Sequence, residues 1–473
     1  MNDITAFFAF LKYCLGYKEN MSRVIAGMNW HELYSFASKQ ALLGLCFEGI
    51  ERLGEEYPEE LKRNPIGREL LMTWMGKAQQ IRRQNMKVNA VASKLFAMLR
   101  VDGMRCCILK GQGNALMYPN PYSRTPGDID VWIDASRERI MEYAQKKFEL
   151  EDDIRLQHLE TSLDGVPVEL HFFPCSMNNP IYHARLQKWF RRNADLQCSH
   201  IVGLPDGAGD IAIPTTAFNV VYQLTHLYHH FFDEGIGMRQ IIDYFLVVND
   251  FSKNVFLNND LSNHPVNFSN HPVPLSKEGS TFSLSPSSSG SGDVTAPSRC
   301  SEPLRSKDGG PSKVSPDCAG WDRLDAIGAS KVSPDCAGWD RLAIEGDNSA
   351  TAVTSSASTA LVVVQRELKY LGLWKFAGAV MYVLHKALGL SEEKMIAPMD
   401  EKRGKLLLAE ILNGGNFGKH FTKYGHFTQQ GMAKKYFLKI WRNMHFVRYF
   451  PAEALSEPIF RTWHFFWRLK HRR

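Results

Sequence analysis

Apolar residues recur every three to four positions through residues 1–100, a spacing that predicts amphipathic helices over 4–15, 30–52 and about 69–99, interrupted around Gly54 and Pro58. The period then shortens to two. An apolar run at 104–109 reads as a strand, Ile129, Val131 and Ile133 alternate with Asp128 and Asp130, and Val168, Leu170 and Phe172 alternate with Glu169 and His171. Asp164 and Gly165 form a tight-turn signal before this last run, which makes 155–162 its expected antiparallel partner. A helix over 136–150, with Ile140, Tyr143, Ala144 and Phe148 on one side, joins the Asp-bearing strand to that hairpin, and helices resume at Thr215.

Between about 251 and 360 the composition turns to Ser, Gly, Pro, Asn and Asp, too poor in apolar residues to offset the entropy of ordering them. This stretch reads as a disordered insertion splitting one helical domain. It carries an exact internal duplication, 312–324 repeated at 330–342, and Asn-His-Pro-Val at both Asn263 and Asn270. The Trp-Asp pairs at Trp321 and Trp339 do not signal a propeller, because the copies lie much closer together than the roughly 40 residues of a blade.

The 473 residues, 44% of them hydrophobic, are enough for two or three modules with substantial cores. The most apolar helical stretch, 371–390, contains Lys375, His385 and Lys386 and reads as a buried helix rather than a membrane span. No basic leader segment opens the chain, so a cytoplasmic protein is expected. Nine cysteines without Cys-x-x-Cys spacing imply neither a zinc ribbon nor a disulfide framework, and Cys106 and Cys107 read as small core residues. The net charge of +6 is uneven: residues 434–473 hold ten Lys or Arg against two Glu, mixed with aromatics. Such a tail fits an anionic membrane surface or nucleic acid, or a helix that docks its aromatics and leaves its basic face in water.

Asp128 and Asp130 carry the chemistry of the chain. Side chains two apart on a strand share a face, so the pair forms a divalent-cation site with apolar packing behind it and acid in front, and Gly127 leaves room for a bulky group to approach. Glu169 supplies a third carboxylate. Upstream, Lys110 ends a strand at a glycine-flanked turn (Gly111 and Gly113) whose free N–H groups suit phosphate oxygens. That turn is neither a dinucleotide fingerprint nor a P-loop.

Leu109-Lys110-Gly111, Tyr118-Pro119, Arg124, Gly127-Asp128-Ile129-Asp130 and Glu169-Leu170-His171 together resemble the uncharacterised nucleotidyltransferase family of the DNA polymerase β superfamily. Lys110-Gly111 stands where the superfamily usually has Gly-Ser, as is common in this branch. The resemblance continues through Ile213-Pro214, His226, His230, 237–243, 371–377 and 384–390, covering roughly 85–250 and 365–395. It implies an α+β fold: a small mixed sheet with helices on one side, flanked by N-terminal helices and a C-terminal helical domain. The implied division is an N-terminal helical region (1–100), a nucleotidyltransferase catalytic core (101–210), a C-terminal helical domain (211–250 with 361–473) and the insertion (251–360). It also implies Mg²⁺, with Mn²⁺ as a substitute, held by Asp128, Asp130 and Glu169, and an NTP whose triphosphate meets Lys110, Gly111, Gly113 and Arg124. The acceptor would be a hydroxyl on a small molecule, protein or RNA, bound in the cleft between core and helices.

Other residues invite a bland reading. His226, His229 and His230 have a chelating helical spacing but lack the glutamate of the zincin pattern, so packing and hydrogen-bond roles are expected. His171 is as well explained as a polar strand residue, and Arg124 as an ion-pair partner of Asp134 or Asp128. Arg239 and Asp243, one helical turn apart, are expected to pair with each other. Three functions compete: an active nucleotidyltransferase, a nucleotide-binding or regulatory module with little turnover, and a nucleic-acid or membrane scaffold acting through the basic tail.

Overall fold

A computed structural model describes residues 3–150, 155–260, 353–420 and 432–471, all within one compact unit. Helices α1 (Asp3–Cys14), α2 (Ser22–Ala26), α3 (Trp30–Lys39), α4 (Leu43–Glu56) and α5 (Pro58–Arg63) precede a 34-residue helix, α6 (Arg68–Val101). The single helix expected over 30–52 is therefore two. Ala41 takes a positive φ of 58°, which no helix continues through, and the break frees Gln40 to accept from Met238 N at 2.8 Å and donate to Ile411 O at 3.1 Å. A fully buried side chain thus ties the N-terminal helices to the C-terminal ones.

The core follows as β1 (Cys106–Leu109), α7 (Gly111–Ala115), β2 (Ile129–Ile133), α8 (Arg137–Lys147), β3 (His158–Leu163), β4 (Val166–His171) and α9 (Pro180–Ser199), then a small hairpin of β5 (Ile201–Gly203) and β6 (Asp210–Ala212). The main sheet has the order β1-β2-β4-β3, with β2 and β4 parallel and both outer pairs antiparallel. The expected hairpin forms, its turn made by Asp164 (φ 50°) and Gly165 (φ 70°), the two positive-φ positions of a turn that matches strand twist.

Helices cover both faces of this sheet rather than one. Val88, Leu95 and Leu99 of α6, with Ile140 and Ala144 of α8, pack on Ile108, Val131, Val168 and Leu170. On the opposite face Trp132 is buried and packs against Phe190 and Phe218, so the acid-bearing face of β2 is itself part of a larger core. Alternation marks Trp132 as sharing the Asp130 face; its size and apolar surface demand the cover.

Helices α10 (Thr216–Asp233), α11 (Met238–Asp260), α12 (Val353–Tyr370), α13 (Trp374–Leu388), α14 (Glu401–Gly414), α15 (Met432–Met444) and α16 (Pro451–His471) complete the unit. α11 runs into, and α12 begins within, the stretch that composition assigns to the insertion, so 251–260 and 353–360 are helix; 261–352, including the duplication, lies outside the described residues. The basic tail is docked: Phe446 and Phe450 are buried against Phe231, Phe232 and Phe376. Part of its charge faces inward, with Lys439 on Asp233 at 2.8 Å and buried Arg442 on Glu410 at 3.5 Å. Among the described residues no helix is long and apolar enough to cross a membrane, and Cys106 and Cys107 are free and buried, as expected.

Candidate active site

Strand register builds the centre of the site. β2 and β4 pair so that Asp130 lies opposite Glu169 and Trp132 opposite His171, which places acids and imidazole on neighbouring rungs of one face. His171 Nε2 bridges the acids, donating to Asp130 Oδ1 at 2.9 Å and Glu169 Oε2 at 3.1 Å. Burial disfavours the charged ring, yet hydrogen bonds and charge from the two carboxylates hold its pKa up to about 9.

Lys110 approaches Asp130 from the other side. Its backbone has a positive φ of 52°, which turns the chain sharply from β1 into α7 and sends Nζ to 3.0 Å from Asp130 Oδ1 and 2.8 Å from His226 Nε2. α7 is pinned on both sides: Gln112 donates to Asn89 at 2.7 Å, and Asn114 and Gln223 exchange amide hydrogen bonds at 3.0 and 2.6 Å. Burial works against the charge on Asp130, but Lys110 and His171 outweigh it and hold that carboxyl well below the usual carboxylate range. Asp128, just before β2, behaves oppositely: the charge of Asp130 first, then partial desolvation in the cleft and the charge of Glu169, push it up to about 6.

Lys110, Asp128 and Asp130 line a small solvent-open cleft between the sheet and helices α10 and α11. Lys110, Gly111, Arg124, Asp128 and Asp130 face Gln223, His226, Arg239 and Asp243 across it. Arg124 is buried and does line the cleft, but its partner is neither Asp134 nor Asp128: Nε and Nη2 donate to Asp243 at 2.9 and 2.8 Å. Asp134 pairs with Arg105 instead. Asp243 also accepts from Tyr118 at 2.8 Å, so the expected Arg239–Asp243 pair does not form. Arg239 donates to Thr125 O at 3.0 Å, and among the described residues no carboxylate pairs with it. Burial and then the charge of Arg124 lower its pKa. Gly113 does not line the cleft; it packs against Ile213, where a Cβ would come within 3.0 Å.

Two features were missed by sequence reasoning. His226 accepts from Lys110 and lies 3.1 Å from His230 Nε2, so this histidine group serves the lysine as well as packing. His158 sits opposite His171 in the hairpin, and counting back from the Asp164-Gly165 turn would have found it. Its Nδ1 lies 3.3 Å from Glu169 Oε2, and burial, then His171, lower its pKa to about 4. His158 also lines a second cleft, of about 190 Å³, with Gln157, Ser176, His229 and Phe460.

Asp130 and Glu169 on paired rungs offer oxygen donors suited to a hard cation, but Asp128, Asp130 and Glu169 are not, among the described residues, a group whose ligand atoms all lie within 4.8 Å of one another. His158, Glu169 and His171 form a mixed group whose ligand atoms all lie within 4.8 Å of one another. Residues 26–262, half of the chain, match the family model described as uncharacterised nucleotidyltransferase. That match takes in helices α3 to α6 but not α1, and does not include 365–395. No curated protein and no solved structure matches the chain.

Proposed function

We propose that this chain, which belongs to the uncharacterised nucleotidyltransferase family, transfers a nucleoside monophosphate from an NTP to an acceptor hydroxyl and releases pyrophosphate. One observation carries the reading: Asp128 and Asp130 line the same cleft as Lys110, Arg124 and the carboxylate-free Arg239, with Glu169 on the rung beside Asp130. Donors for a cation and cations for a triphosphate thus meet in one space.

Asp128, Asp130 and Glu169 would hold Mg²⁺, or Mn²⁺ in its place, which supplies charge neutralisation at the phosphates and acidifies the attacking hydroxyl. Arg239 and Lys110 would bind triphosphate oxygens, and the cleft lining would keep the phosphates in line with the acceptor. The acceptor oxygen forms its bond to the α-phosphorus as the bond to pyrophosphate breaks. The second cleft opens on His158, next to Glu169, and offers the acceptor its own approach. Glu169 would orient the hydroxyl there and take its proton.

The test is pyrophosphate release from each NTP with Mg²⁺, together with transfer of α-phosphate label to a component of cell extract. Asp128→Asn and Asp130→Asn should each lower release by roughly 10²–10³-fold, the scale for loss of one preorganised electrostatic contact. A nucleotide-binding module with little turnover is the second reading, favoured by the neutralisation of Asp130 by Lys110 and His171. NTP binding without release, in wild type and variants alike, would establish that instead. The tail reading draws on exposed Phe437 and Trp441; salt-sensitive binding to anionic vesicles or oligonucleotides, lost in Phe437→Ser with Trp441→Ser, is its test.

A further inference from the structure

We infer that His158, His171 and Glu169 form a second cation site, selective for a borderline transition metal of the Zn²⁺ class and distinct from the carboxylate site for Mg²⁺. The inference goes beyond the transferase reading and shares only Glu169 with it.

Spacing is the first support. An ion held at about 2.0–2.2 Å by nitrogen and oxygen donors in tetrahedral geometry separates its ligand atoms by roughly 3.3 Å. Glu169 Oε2 lies 3.1 Å from His171 Nε2 and 3.3 Å from His158 Nδ1. All three atoms fall within 4.8 Å, so one gap closes modestly around an ion.

His158 supplies an independent observation. It is only 9% exposed, yet neither ring nitrogen makes a hydrogen bond: Nδ1 faces Glu169 at 3.3 Å without bonding geometry, and Nε2 is 3.7 Å from Glu160 Oε1. A buried imidazole with no partner is costly, and a lone pair given to a metal removes that cost.

Donor chemistry then selects the ion. Mg²⁺ prefers six oxygens and retains water, whereas two imidazoles with one carboxylate suit Zn²⁺ and its neighbours. Two elements are joined, because His158 comes from β3 while Glu169 and His171 come from β4. The ion would clamp the hairpin and hold Oε2 of Glu169, leaving Oε1, which takes part in none of these contacts, for the catalytic side.

The experiment uses full-length untagged protein stripped with chelator. Zn²⁺ is measured by equilibrium dialysis, and Co²⁺ by the intensity of its visible absorption, which distinguishes four- or five-coordinate from six-coordinate ions. Wild type should retain one equivalent of Zn²⁺ against excess Mg²⁺. Asp128→Asn should retain it too, even where pyrophosphate release is lost, so failure of the transferase reading leaves this result standing. His158→Asn, which removes a ligand rather than an outer-shell partner, should bind more than about 100-fold more weakly. X-ray absorption on zinc-loaded wild type should show two imidazoles, independently of whether any variant folds. An all-oxygen shell, unchanged affinity in His158→Asn, or loss of binding only in His226→Asn would overturn the inference.

Discussion

Asp130 and Glu169 are direct partners across the parallel pair of β2 and β4, and one nitrogen, His171 Nε2, donates to both carboxylates at 2.9 and 3.1 Å. Two acids so close would repel each other strongly in a buried sheet. The imidazolium between them, with Lys110 on Asp130, lets the fold tolerate two adjacent acids.

The Arg124–Asp243 pair tests how the cleft is held. Both residues are buried and doubly hydrogen-bonded, so Asp243→Asn leaves Arg124 and neighbouring Arg239 without compensation. Unfolding by urea should show a loss of about 3–5 kcal/mol, of which Arg124→Leu in the same chain recovers more than half.

Arg239 predicts the opposite balance. A buried guanidinium that pairs with no carboxylate among the described residues is a cost to the free protein and an asset to an anionic ligand. Arg239→Met should leave the melting temperature unchanged or raised. It should also weaken NTP binding, measured by calorimetry, by about 10- to 100-fold, the value of one or two charge-assisted hydrogen bonds.

Glu453, which lines neither cleft itself, predicts a pH dependence of stability. It is 1% exposed and accepts from the backbone N–H groups of Asn178 and Asn179 at 2.5 and 3.2 Å, yet burial pushes its pKa to about 7 from 4.5. The folded form therefore holds the proton more tightly than the unfolded chain, and the stability this contributes, full below pH 4.5, is lost as pH rises through 7. The loss is on the order of 2–3 kcal/mol. Glu453→Gln should be slightly less stable than wild type at pH 5, for one weakened hydrogen bond, and more stable at pH 8; thermal melts at both values check it.

The insertion should be dispensable. α11 ends at Asp260 and α12 begins at Val353, each with buried residues in the same core: Val247 and Phe251 on one, Val364 and Leu368 on the other. Replacing 261–352 by a short Gly-Ser linker shortens the loop between them, and each halving of loop length is worth about 0.6 kcal/mol in closure entropy. Melting temperature should hold or rise slightly; an aggregated or unfolded product would show that the segment is needed.

What the chain determined by itself is local: helix periodicity, the change to strand alternation, the Asp164-Gly165 hairpin, and the placement of Asp130 and Glu169 on strand faces. Each depends on residues a few positions apart, and period-two geometry leaves little freedom. Tertiary structure decided the rest. Asp243 chose Arg124 over Arg239, one turn away on its own helix, because a buried carboxylate takes the partner whose fork fits both oxygens. Trp132 drew a helical cover onto the acidic face, Gly113 was needed for packing on Ile213, and Lys110 found both Asp130 and His226. Such pairings join residues up to 119 positions apart, and only packing in three dimensions selects among the charged partners a sequence offers.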